Sequence, residues 1–195
     1  HDLADAQALK YLIMDRNAAQ AVGIYTGFYY YATLPDTTDE AVIIQDAQAQ
    51  AQRAIWRLAS LGGYTERDLA FALDLENNCV RRSTTGSCSK YTSRSAVTLW
   101  AKTWLEIFEA KTIRTPIIYS YPQFLENAMV RDATLVNYPL WIAHYSLNPF
   151  DPLSQPGLKT AGCFVTPWTT ANCSSLWAVW QYTSCGIAKK YGVPG

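Results

Sequence analysis

"FALDLENN", residues 71–78, is an apolar run that closes on two acids, Asp74 and Glu76, followed by two amides and Cys79. Alternation along a β-strand turns Asp74 and Glu76 to one side and Phe71, Leu73 and Leu75 to the other. Two like charges then share one surface. Such an arrangement costs free energy unless water, a partner or a substrate compensates it.

The surrounding pattern tells which kind of sheet this strand joins. Residues 4–21 read as a helix and "AVGIYTGFYYYA" (21–32) as a strand rich in β-branched and aromatic residues. Thr37 and Glu40 have capping-box spacing and open a helix to about Leu61, with Ile43, Ala47, Ala51, Ala54, Ile55 and Leu58 on one stripe. Val97, Trp100, Trp104, Ile107 and Phe108 mark another helix, then come "TPIIYSY" as a strand and "QFLENAM" as a short helix. "PLWIAHY" (139–145) and "LWAVWQY" (176–182) complete five expected strands. Strands alternating with helices predict an α/β fold with a parallel sheet, either a β/α barrel or a doubly wound sheet. In a barrel, chemistry sits at the C-terminal strand ends, where "DLE", Tyr119, Tyr145 and Gln181 fall.

Composition narrows the partner. Sixteen basic residues balance sixteen acidic ones in 195 residues, which leaves no electrostatic footprint for nucleic acid or an anionic membrane surface. Seven Trp and thirteen Tyr are more than a core of this size needs, and aromatic platforms suit sugar rings or bases. No stretch approaches the ~20 apolar residues of a membrane span, so no membrane insertion is expected. No Gly-rich fingerprint follows a strand, and the histidines, His1 and His144, are too few for a metal-dependent hydrolase; neither cofactor nor metal is expected. Cys79 with Cys88 and Cys163 with Cys173 read as two loop-stapling disulfides and imply an oxidising, extracellular destination; Cys185 is left over. Zinc is the rival reading for four cysteines, though C-x₂-C spacing is missing.

Strand geometry separates the Asp74 and Glu76 Cα atoms by ~6.5–7 Å, near the spacing of carboxylates that cleave glycosidic bonds. Mutual repulsion in an aromatic surround would raise one pKa, and Glu76 is the candidate for the acid that stays protonated. A competing reading has both acids capping the next loop or pairing with Arg81 and Arg82.

The ordered set "GFYYYA", "ALDLE", "PIIYSYPQF", "PLWIAHY" and "LWAVWQYTS" resembles the muramidases of glycoside hydrolase family 25, the Chalaropsis-type lysozymes, over roughly residues 14–195. The resemblance implies a distorted TIM-like β/α barrel and hydrolysis of the β-1,4 bond after N-acetylmuramic acid in peptidoglycan. It places the catalytic acid on Glu76 and gives Asp74 the task of polarising the substrate's acetamido group. Tyr29 and Tyr119 match family tyrosines near the cleaved bond. Trp141 and Tyr145 would line the sugar groove, with Gln181 nearby, whereas strand parity turns His144 and Trp180 toward the core. The family's opening "G-hydrophobic-D-V-S-x-W-Q" strand and closing "G-x-V-D" are not found. The expectation is therefore one catalytic domain over residues 1–195, incomplete at both ends and monomeric. A chitinase-like hydrolase and a non-catalytic glycan-binding barrel are the alternatives.

Overall fold

The computed structural model describes residues 6–145, 177–182 and 184. Helix α1 (Ala6–Ala21) leads into β1 (Tyr29–Tyr31), α2 (Glu40–Ser60) and β2 (Ala72–Asp74). A hairpin of β3 (Cys79–Arg82) and β4 (Cys88–Tyr91) precedes α3 (Arg94–Thr112), β5 (Ile117–Ser120) and α4 (Pro122–Asn127). A 3₁₀ turn (Ala133–Asn137), β6 (Leu140–Ala143) and β7 (Trp177–Gln181) follow. The main sheet runs β1-β2-β5-β6-β7 with every neighbouring pair parallel. The hairpin forms a separate antiparallel ladder.

The expected barrel is corrected to an open sheet. Among the described residues β1 and β7 are edges, and five strands do not complete the circuit for which barrels of this kind use about eight. Two local expectations also change. Gly23, with φ 87°, turns the chain after α1 while Ile24 N–H donates to the Ala19 carbonyl, so residues 21–25 leave the strand and β1 keeps only its three tyrosines. The N-cap of α2 is Asp39, whose carboxylate accepts from Ala41 N–H at 2.9 Å, whereas Thr37 accepts from Asp39 N–H.

Register explains how one sheet serves both a core and a site. Tyr30, Leu73, Ile118 and Leu140 are paired in one row across four strands, and the last three are fully buried. Against that face pack α2 and α3. Ala47, Ala51 and Ala54 make a small-residue stripe on α2, and α3 contributes Trp100, Trp104 and Phe108. Trp104 and Phe108 stack at 4.8 Å, with Phe71 4.7 Å from Phe108. Asp46 and Gln50 are the polar exceptions in this layer. Asp46 accepts from Trp100 Nε1 at 2.7 Å, and Gln50 bonds both Asp46 and the Thr33 carbonyl, which ties α2 to the end of β1.

Below the N-terminal end of β2, Arg16 of α1 forms a buried ion pair with Asp68 and donates to the Leu61 and Gly63 carbonyls. Burial alone would raise the Asp68 carboxyl, but hydrogen bonds from Arg16, Thr65 and Thr26 outweigh it and hold it at about 2. A pKa below the unfolded value means stability that is present above about pH 4 and is lost as pH falls toward 2.

Two outcomes test this picture. Arg16→Met leaves a buried carboxylate unpaired and is expected to lower unfolding free energy by roughly 3 kcal/mol in chemical denaturation, with part recovered in the double variant Arg16→Met, Asp68→Leu. Ile113, which ends α3 at φ 56° with a side chain 91% exposed, gives up no packing on replacement. Ile113→Gly is expected to raise stability by about 1 kcal/mol through relief of left-handed strain.

Candidate active site

Asp74, Tyr119 and Trp141 are paired in register across β2, β5 and β6, one residue along from the Leu73 row. Because successive residues alternate faces, this row points away from the helices. Tyr31 pairs with Asp74 on β1, so Tyr31 and Tyr29 share the same face. On the far side Gln181 of β7 pairs with Ala143, two residues beyond Trp141. A cleft of ≈ 230 Å³ results, lined by Tyr29, Asp74, Glu76, Tyr119, Trp141 and Gln181. Sequence reasoning singled out each of these six.

Tyr145, the seventh candidate, stands at the edge. Its hydroxyl accepts from Gln181 Nε2 at 2.9 Å. The Tyr119 and Trp141 rings meet edge-on at 4.8 Å. His144 is half-buried and enters the sheet through its backbone, donating to the Gln181 carbonyl at 3.1 Å and accepting from Trp180 Nε1 at 2.9 Å. Trp180 packs against the core, as strand parity suggested.

Electrostatics distinguish the two acids. Asp74 is 8% exposed and its Oδ1 is buried without a hydrogen-bond partner. Burial, then the charge of Glu76, pushes its carboxyl up to about 7. The expectation that Glu76 would carry the raised pKa is thus corrected. The physical reason is depth, since Asp74 ends the buried strand while Glu76 lies past it and is half-exposed. Trp141 Nε1 is a second buried polar atom without a partner, placed in the same lining. An unpaired acceptor and an unpaired donor in one cleft suit a ligand that brings both kinds of group.

The competing reading of the acids as loop caps or arginine partners fails. Arg81 pairs with Asp36 at 2.6 Å, Arg82 donates to the Gly86 carbonyl, and neither Asp74 nor Glu76 forms an ion pair among the described residues. Asn77 does the turn chemistry, accepting from Cys79 N–H at 2.9 Å. The hairpin that follows carries the expected Cys79–Cys88 disulfide. Cys163, Cys173 and Cys185 lie outside the described residues.

Two contributors escaped sequence reasoning. Ser120 is fully buried and donates to the Leu75 carbonyl at 2.6 Å, while Leu75 N–H donates to Tyr119 O, so β5 clamps the peptide between the two acids. Tyr121 has its hydroxyl pushed up first by burial and then by the charge of Glu76. Parity within "YSY" put Tyr121 on the face of Tyr119, a signal present but unused. No group of three or more His, Cys, Asp or Glu among the described residues is arranged to hold a metal ion, and no helix among them is long and apolar enough to cross a membrane.

Comparison with known proteins places this geometry. The model of the family described as Glycosyl hydrolases family 25 matches residues 9–191. Among solved structures, the fold is similar to a muramidase from Acremonium alcalophilum, at 23% identity and TM-score 0.57, covering 89% of this chain and 69% of that one. It is also similar to a family 25 lysozyme from Aspergillus fumigatus, at 21% identity and TM-score 0.59, covering 93% and 70%. The spore cortex lytic enzyme SleM of Clostridium perfringens matches at 23% identity and TM-score 0.61, and there the chain covers 89% of itself but 48% of the relative. A search of curated protein sequences found no match.

The raised Asp74 pKa makes a stability prediction. The folded chain keeps a proton that the unfolded chain, with its ordinary value of 3.8, releases, so stability falls as pH rises from about 4 to about 7. Asp74→Asn removes that penalty. The variant is expected to gain roughly 1–3 kcal/mol over the parent at pH 8 and little at pH 4, given about 1.4 kcal/mol per pKa unit. Equal differences at both pH values in urea titrations would contradict the buried, protonated carboxyl.

Proposed function

Because the chain belongs to glycosyl hydrolases family 25, we propose that it hydrolyses peptidoglycan by cleaving the β-1,4 bond between N-acetylmuramic acid and N-acetylglucosamine. The observation that carries this reading is the unpartnered Asp74 carboxyl beside Glu76 in an aromatic cleft. A sugar N-acetyl group supplies the amide N–H that Asp74 lacks and a carbonyl for Trp141 Nε1. Tyr29, Tyr119 and Trp141 offer ring faces and edges to the sugars, and Gln181 with Tyr145 closes the far end of the groove.

Glu76 serves as general acid and base, since it stands at the more exposed rim where a glycosidic oxygen can reach it. It gives its proton to the leaving oxygen as the substrate's acetamido oxygen attacks the anomeric carbon. Asp74, ionised at that moment, accepts from the acetamido N–H and stabilises the positive oxazolinium. Glu76 then takes a proton from water, whose oxygen opens the ring with net retention. A bound acetamido N–H favours the ionised form of Asp74, which this step requires. The proposed substrate and the Cys79–Cys88 disulfide both support a site of action outside the cytoplasm, at the cell wall.

One observation favours a second assignment. Burial pushes the Asp74 carboxyl up to about 7, and in this second assignment the roles run in reverse, with Asp74 as the acid. Leaving-group dependence separates the two. Glu76→Gln is expected to lose roughly 10²–10⁴-fold in kcat on peptidoglycan, and to recover most of it on an aryl glycoside whose leaving group needs no proton. Asp74→Asn is expected to stay impaired on both. Recovery by Asp74→Asn alone reverses the roles. Mass analysis of the new reducing end identifies the bond: muramic acid supports the proposal, N-acetylglucosamine favours a chitinase-like hydrolase, and no new reducing end favours a glycan-binding domain.

A further inference from the structure

The β3–β4 hairpin begins three residues after Glu76 and carries Arg81, Arg82 and Lys90 but no acid. Across to it from the loop after β1 reaches Asp36, which pairs with both Arg81 (2.6 Å) and Lys90 (2.5 Å). Three cations are thus answered by one carboxylate. Arg82 is exposed, and the acceptor it meets is the neutral Gly86 carbonyl inside the hairpin's own turn. The Cys79–Cys88 disulfide and the backbone bond from Thr92 N–H to the Asn78 carbonyl hold the hairpin base, and Thr92 Oγ1 bonds the Pro35 carbonyl. The charge is therefore presented on a braced element, with little ordering left for a ligand to impose.

Exposed tyrosines lie at the base of the hairpin and on β1. Tyr91, the last residue of β4, is 62% exposed and pairs in register with Cys79, three residues past Glu76. Tyr31 in turn shares the cleft-facing side of β1 with Tyr29. The hairpin thus starts at the Glu76 end of the cleft, where a sugar polymer longer than the cleft would run on.

We propose that the β3–β4 hairpin is a recognition site for the carboxylates of stem peptides borne by the glycan strand, with Arg82 as its principal contact. The proposal rests on the peptidoglycan reading above. Its chemistry is that of the substrate itself, because each N-acetylmuramic acid carries a lactyl-linked peptide with free carboxylates, and these project from the sugar next to the bond in the cleft. An arginine fork accepts a carboxylate in two parallel hydrogen bonds, a match a neutral glycan cannot offer. Phosphodiester wall polymers carry the other anion of the same setting. They are attached to only some of the muramic acids, whereas the peptide is borne at every one and so beside the bond in the cleft, which favours the peptide.

The test uses the full chain and soluble tetrasaccharides of alternating N-acetylglucosamine and N-acetylmuramic acid, either bearing stem peptides or bare, with each lactyl carboxyl of the bare oligomer capped as a methylamide so that it is neutral. Binding by calorimetry and turnover by reducing-end release are read in parallel. Arg82→Glu is expected to weaken binding and kcat/KM about tenfold on the peptide-bearing oligomer, with less than twofold change on the bare one, as reversal of one close charge contact predicts. Arg82→Lys should restore part of the loss. Equal effects on both oligomers overturn the proposal, as does a glycerol-phosphate oligomer that binds in an Arg82-dependent manner while stem peptides add nothing. Should neither oligomer be cleaved, the hydrolase reading falls, and the binding difference alone still decides the hairpin's role.

Discussion

A carboxyl group buried without a hydrogen-bond partner is costly, and Asp74 is such a group at the tip of a central strand. It stays there because the surroundings leave it no alternative. β1 and β5 flank β2 on both sides, Ala32 N–H bonds the Asp74 carbonyl, and Ser120 holds the next peptide. The core face of the same strand is sealed by Phe71, Leu73 and Leu75, all at most 4% exposed. Rotating the strand to hydrate Asp74 would put those apolar side chains in water, at roughly 2 kcal/mol for each.

The same residue type meets the opposite fate at the other end of this segment. Asp68, six residues upstream, is as buried as Asp74, yet it receives Arg16, Gln20, Thr26 and Thr65 and sits at about 2. Asp74 receives none of these and sits at about 7. Parallel α/β sheets commonly divide labour in this way, with stability at the N-terminal strand ends and chemistry at the C-terminal ends. Here the division is visible in two aspartates, one fully satisfied and one left for a ligand. Helices α2 and α3 support both ends, since the Trp104–Phe108–Phe71 cluster packs beneath the strand that joins them.

Much of the site was legible before any coordinates, because period-two alternation is a local property. It put Asp74 with Glu76, and Trp141 with Tyr145, on shared faces, and it turned Trp180 inward. Cysteine spacing likewise anticipated the Cys79–Cys88 staple, which closes a short loop. The misreadings were cases of competition between local signals. Thr37 and Asp39 both resemble N-caps, and the aspartate won; "AVGIYTG" has strand composition, but Gly23 allowed the left-handed turn that lets α1 run to Ala21.

What the sequence determined by itself was pairing along the chain: which side chains share a face, which helices carry an apolar stripe, and which family motifs occur in order. What only the tertiary structure decided was depth and company. Which acid is driven toward neutrality depends on the low-dielectric volume around each carboxyl, and that volume is built by β1, β5 and β6 from distant parts of the chain. Arg81 sits five residues from Glu76 yet answers Asp36, across a loop no spacing rule connects. Strand register also decided which tyrosines flank Asp74, because rows across a parallel sheet are set by hydrogen bonds between segments 40 or more residues apart.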